Sequence, residues 1–193
     1  YAADRLIVAS GVRLRLHSLV AGAVVREGRL QALLLESKSG RQAVLGKVFV
    51  DATGDADVVA QAGARFHLGR RADGRVQAMG NVFQVGGIDE SRYPSQPEQQ
   101  VIAQRMAEAT EHDQIRAYRW HAGHLGPDSG RGGRTYNITH IGGDPTDVED
   151  LTAGELQARR DVWGIMAWMR REVPGMEQAF IQVTSHSLAV RES

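Results

Sequence analysis

The sequence predicts an α/β chain, on three observations. Val12, Leu14 and Leu16 alternate with Arg13, Arg15 and His17, the period of a half-buried strand. Val48-Phe49-Val50 is a continuous apolar run, as in a strand covered on both faces, and it leads through Asp51-Ala52-Thr53-Gly54-Asp55 into a helical stretch. Leu151 to Glu172 spaces its apolar residues as a long helix until Pro174-Gly175 stops it.

Taken in order, Ala2 to Ser10 is the end of an amphipathic helix with Gly11 as its cap. Strands are expected at 12–17, Val20 to Val25, Leu30 to Leu35 and Ala43 to Leu45. Turns at Glu27-Gly28 and Ser39-Gly40 join the later ones into an antiparallel meander. The strand at 47–51 and the helix at 56–62, with Gly63 near its end, enclose a tight glycine loop. Such a loop sets free N–H groups of a helix start toward an anion. Beyond Ala64, glycines at 69, 74, 80, 86 and 87 separate short strand-like pieces such as Gly80 to Gly86. Pro97 to Glu111 is a helix, 121–134 a loop, and Thr135 to Ile141 a strand. Thr152 with Glu155 matches a capping box for the long helix, and Thr184 to Val190 is a last strand.

The 193 residues suit one domain or parts of two, and 42% of them are hydrophobic. The chain is long enough to bury a core, and its composition excludes disorder, collagen and coiled coil. Lys+Arg 23 against Asp+Glu 23 leaves no net charge. Nucleic acid and anionic membranes are disfavoured as partners, because binders of either carry a basic excess. No apolar run approaches the ~18 residues of a membrane span, and no signal peptide opens the chain. The absence of Cys removes disulfides, thiol catalysis and Cys-based metal sites, and fits a cytoplasmic protein. The start at Tyr1 and the end at Arg191-Glu192-Ser193, without turn or helix stop, read as cuts through a longer chain.

The segment at 48–55 carries the most chemistry. Ala52 and Gly54 are small enough for a ligand to approach the backbone closely. Thr53 supplies a hydroxyl, and Asp55 an acceptor suited to sugar hydroxyls. A buried strand ending in an Asx-type turn, with Asp55 capping the next helix, uses the same residues without any ligand.

Val48 to Gly63, reading VFVDATGDADVVAQAG, resembles the FAD-dependent oxidoreductase family, of the two-dinucleotide-binding flavoprotein type. Leu151-Thr152, Glu155-Leu156, Arg159-Arg160, Val173-Pro174-Gly175-Met176 and Val190-Arg191-Glu192-Ser193 are similar to that family's downstream pattern. The resemblance implies that residues 1–66 are the C-terminal part of an FAD-binding Rossmann-like domain with its antiparallel meander. Residues 67–193 would be an incomplete mixed α+β substrate or cap domain. FAD is the implied cofactor, and hydride or electrons would pass between a small-molecule substrate and the bound flavin. Val20 would meet adenine, Ala52, Thr53, Gly54 and Asp55 would lie beside the cofactor's phosphates or sugar chain, and Arg191 would face the flavin or a substrate carboxylate.

The family's G-x-G-x-x-G fingerprint, which holds the FAD pyrophosphate, is not in this chain, and Ala189 stands where the family usually has Gly. The expectation is therefore an internal fragment of a longer flavoprotein, itself inactive. It would be covered by a second copy or by a chain that carries the missing part. The alternative is a non-catalytic nucleotide-binding or subunit-interaction module.

Other residues are secondary. Arg131, Arg134, Asn137 and His140 surround a strand and could point into a substrate cavity, although a solvated loop edge explains them as well. His121 and His124 have a spacing open to metal but no carboxylate near them, so no metal site is expected. Trp163, Ile165, Met166, Trp168 and Met169 read as core.

Overall fold

The computed structural model describes residues 1–118, 127–128 and 133–191. Two compact units divide between His67 and Leu68. Both are mixtures of helix and antiparallel sheet.

The first unit starts with α1, Ala2–Ala9. Three strands follow, β1 (Leu19–Arg26), β2 (Arg29–Glu36) and β3 (Gln42–Leu45), paired in the order β1-β2-β3. Glu27 and Gly28 both have positive φ, 52° and 70°. That is the mirror-image turn whose twist matches two paired strands, and it sets Arg26 opposite Arg29. The register slips once between Val20 and Gly22 and again between Val24 and Val25. Each slip adds a bulge, which bends the ribbon and re-aims the side chains beside it. A short helix, α2 (Asp57–Gln61), closes the unit.

Two expected strands do not form here. Residues 12–17 and 47–51 join no strand pair among the described residues. Val12 and Leu16 are exposed, and Val48 and Val50 are 82% and 86% exposed. The alternation at 12–17 and the apolar run at 47–51 are real, but a strand needs a neighbour for its N–H and C=O groups. No parallel pair occurs among the described strands.

The second unit holds the core. Its strands are β4 (Phe83–Gly86), β5 (Pro127–Asp128), β6 (Gly133–Tyr136) and β7 (Phe180–Thr184), in the order β5-β6-β4-β7 and antiparallel throughout. The last strand was expected at 184–190. It lies earlier because Phe180 to Thr184 pairs with β4, while Ala189 reaches Gly80 only as an isolated bridge.

Helix α3 (Gln96–Glu111) starts with a capping box between Ser95 and Glu98, with Pro97 in its first turn. Ile102 and Met106 bury one turn apart on it. Helix α4 runs Val148–Glu172. The capping box expected at Thr152 and Glu155 is replaced. Asp147 caps instead, accepting from the N–H groups of Glu149 and Asp150. Thr152 lies inside the helix and donates its hydroxyl to the Val148 carbonyl. Glu155 accepts from the N–H of Leu188.

Val162, Ile165, Met166 and Met169 recur at three- and four-residue steps, so one face of α4 is buried. They join Phe83, Val85, Tyr136 and Ile138 in one core cluster. Each fully buried apolar side chain of this size contributes about 1.5–3 kcal/mol. Trp163 departs from the expected core: one step off the stripe, it is 63% exposed.

Candidate functional site

The loop at 51–55 is organised by its first residue. The Asp51 carboxylate accepts from the N–H and hydroxyl of Thr53, at 3.0 and 2.8 Å, and from the N–H of Val59 at 3.1 Å. These bonds hold its carboxyl below the usual carboxylate range. The Thr53 hydroxyl in turn accepts from the N–H of Asp57 at 3.0 Å. The N–H groups at the start of α2, expected to await an anion, are therefore engaged by the loop's own side chains. A negative charge already sits where a phosphate was expected.

What the loop leaves open is its crest. Gly54 has φ 100°, and a Cβ built on it would meet nothing within 4 Å. Ala52, Thr53 and Gly54 are exposed, and Asp55 is half-buried. Val20, on β1 beside the first bulge, is half-buried and opposite Leu35.

The second unit contains a cleft of about 870 Å³. One wall is the 68–78 segment, with Leu68, Arg70 and Arg75. The other runs from His140 to Pro145. The first wall is a tight reversal closed by Arg70 N–H to the Arg75 carbonyl at 2.9 Å. Gly69 is required there, because a Cβ on it would lie 2.4 Å from the Gly74 carbonyl oxygen. Asp73 holds Arg70 through two hydrogen bonds, and the Arg70 guanidinium keeps its carboxyl below the usual range. Arg75 approaches the same carboxylate at 3.7 Å. Two guanidinium groups thus share one carboxylate, leaving an excess positive charge at this wall. On the other wall His140 stacks on Tyr118, ring centroids 4.7 Å apart. Asp144 is held ionised by the N–H and hydroxyl of Thr146.

The sequence-derived substrate residues separate. His140 lines the cleft, and Arg134 is not among its lining residues. Arg134 pairs with Glu90 and lies over the Tyr93 ring. Arg191 is exposed after the Gly80–Ala189 bridge. Arg131, His121 and His124 lie outside the described residues. Among the described residues no group of three His, Asp or Glu could hold a metal ion, and no helix is long and apolar enough to cross a membrane. Sequence reasoning missed Arg70, Arg75 and Asp144. The available signal was the Gly69 to Gly74 spacing, which marks a reversal able to build a wall.

Compared with known proteins, all of residues 1–193 match the family model described as FAD dependent oxidoreductase. No curated protein and no solved structure matches the chain.

Proposed function

The chain belongs to the FAD dependent oxidoreductase family, whose cofactor is FAD, and we propose that it serves hydride or electron transfer between a small-molecule substrate and the flavin. The observation that carries this is the family match along the whole chain. Residues 1–66 act as part of a Rossmann-like FAD-binding domain, and 67–193 as the substrate domain.

The residues fit one portion of FAD better than another. Asp51 occupies the donors at the start of α2, so a phosphate there would face a carboxylate. The open Gly54 backbone and the Asp55 carboxylate fit the hydroxylated sugar chain instead. Ala52 keeps that approach clear, Thr53 fixes the loop, and the backbone at Val20 takes the adenine. Bound FAD supplies a two-electron donor and acceptor.

The cleft in the second unit receives the substrate. At about 870 Å³ it lies within the range of small-molecule sites. Arg75 attracts an anionic substrate group, and His140 contacts the substrate from the opposite wall. Arg134 supports the substrate domain through Glu90 and Tyr93, and Arg191 awaits a carboxylate at the exposed end. The bare apolar segments at 12–17 and 47–51 support a covering neighbour, either a second copy or a chain with the fingerprint strands.

The test is titration of FAD into the purified chain, followed by flavin absorbance and fluorescence. Binding is expected, weakened roughly tenfold or more by Asp55→Ala, as for loss of a charge-assisted hydrogen bond. No spectral change at saturating FAD, or identical binding by the variant, would overturn the assignment of this loop.

A further inference from the structure

Helix α4 carries a polar stripe beside its buried face. Asp150, Gln157, Arg160 and Asp161 recur at helical steps and line a groove of about 330 Å³, with Arg116 and the 140–143 segment opposite. The groove shares His140, Gly142 and Gly143 with the cleft, but is walled by α4 instead of the 68–78 segment.

Asp161 is the buried member, at 6% exposure. Its carboxyl accepts from the Gln157 amide at 2.6 Å. The Arg116 and Arg160 guanidinium groups act on that carboxyl through space. Among the described residues, none of the three is in an ion pair. Arg160 donates to the neutral Gln157 side-chain oxygen at 3.0 Å, and Arg116 is exposed. Asp150, eleven residues earlier on α4, lies about 16 Å away along the helix, too far to neutralise Arg160. His140 is stacked on Tyr118.

A buried carboxyl with no cation against it carries a desolvation cost. The two guanidinium groups beside it are cations with no anion against them. One groove therefore lacks both a positive and a negative partner, and a molecule with both charges close together supplies them at once. Ile141 and Ala153, also in the lining, suit a short aliphatic group beside those charges.

We propose that this groove binds a small zwitterion of the α-amino acid type. Its ammonium group pairs with Asp161, and its carboxylate with Arg116 and Arg160. Neither FAD nor the role of the neighbouring cleft enters, so the site stands or falls independently of both.

The experiment is a nuclear magnetic resonance titration of the full chain, without FAD, at neutral pH. The probes are L-valine, its 2-hydroxy acid analogue, which lacks the ammonium, and L-valinamide, which lacks the carboxylate. Valine is expected to bind with saturable shifts at the Gln157, Arg160 and Asp161 amides. Each analogue should bind roughly tenfold or more weakly, as for loss of a charge-assisted hydrogen bond. Asp161→Asn should bring valine down to the level of the hydroxy acid. Arg116→Gln, at an exposed side chain, should weaken both carboxylates and leave valinamide unchanged, which tests the site even if the Asp161 variant fails to fold. Equal affinity of the three probes, no saturable binding of valine, or unchanged valine binding in either variant would overturn the proposal.

Discussion

The guanidinium carbon of Arg134 lies 4.1 Å from the centroid of the Tyr93 ring. The same side chain pairs with Glu90, and the Tyr93 hydroxyl meets that of Tyr136 at 3.1 Å. Burial pushes both phenols above their usual range, so they remain neutral hydrogen-bonding groups across the ordinary pH span. Arg134 therefore ties β6 to the segment that follows β4. Arg134→Ala should lower stability by about 1–2 kcal/mol, the worth of a partly buried cation–ring contact plus a half-exposed ion pair. Arg134→Lys should recover part of it, since the charge stays while the planar stacking goes. Urea denaturation checks this. An unchanged midpoint for both variants would return Arg134 to the substrate-binding candidates.

Two glycines, one inside α4 and one just beyond it, should respond in opposite directions. A Cβ on Gly175 would lie 2.5 Å from the Asp89 carbonyl oxygen, at φ 82°. The Gly175 carbonyl also accepts from the Asp89 N–H at 2.9 Å. Gly175→Ala should cost about 3 kcal/mol or more, from strain and clash together. Gly164, inside α4 and exposed, has open space where its Cβ would go. Gly164→Ala should stabilise by about 0.5–1 kcal/mol through helix propensity. Thermal melts of the two variants, side by side, separate these effects.

Acid should loosen the 51–59 loop. Asp51 is held below its ordinary value by Thr53 and Val59. Its contribution is thus complete above the unfolded carboxylate range and disappears as pH falls through the lowered folded value. Amide exchange at Thr53 and Val59 should accelerate in that acidic window, and Asp51→Asn should show faster exchange already at neutral pH. Exchange in the variant equal to wild type at pH 7 would contradict the proposed role of the carboxylate.

Asp161 carries the reverse sign. It is buried on α4, and burial raises its carboxyl above the ordinary value, against the bond it accepts from the Gln157 amide at 2.6 Å. Ionisation then costs more in the folded chain than in the unfolded one, so the penalty is full above the folded value and vanishes below the unfolded one. Asp161→Asn retains an acceptor for Gln157 and removes the charge. It should melt at a higher temperature than wild type at pH 7, with the gap closing as pH falls below the carboxylate range. A gap that persists in acid would point to packing instead.

The parts of the fold legible in the sequence are those set by local rules. The Glu27-Gly28 turn, β1 and β2, α3 and the buried stripe of α4 follow from turn chemistry and helical spacing. The strands expected at 12–17, from alternation, and at 47–51, from a continuous apolar run, failed because such patterns state which faces could be buried, not whether a neighbour exists. The cap of α4 was misplaced because Asp147 and Thr152 both carry capping chemistry, and only the completed backbone chooses between them. The 51–55 loop was found by its residue types, but the donors expected to be free are engaged, because Asp51 reaches Val59 across eight residues. The cleft was illegible for a similar reason: its two walls are some seventy positions apart in the chain, and only folding brings Arg75 and His140 to the same cavity.

The position of β4 has a consequence in time. It pairs on one side with β6 and on the other with β7, where Phe83 faces Thr184. The second partner is about a hundred residues downstream of β4 and about forty-five beyond β6, so at a synthesis speed of ~5–20 residues per second it emerges ~2–10 s after the first partner. During that interval the nascent chain carries a central strand with one unoccupied edge, and Phe83 and Val85 await the rest of their core. The unit cannot mature segment by segment. Its last strand acts as the closing step, and chaperone dependence should be governed by the pace of translation between residues 86 and 180.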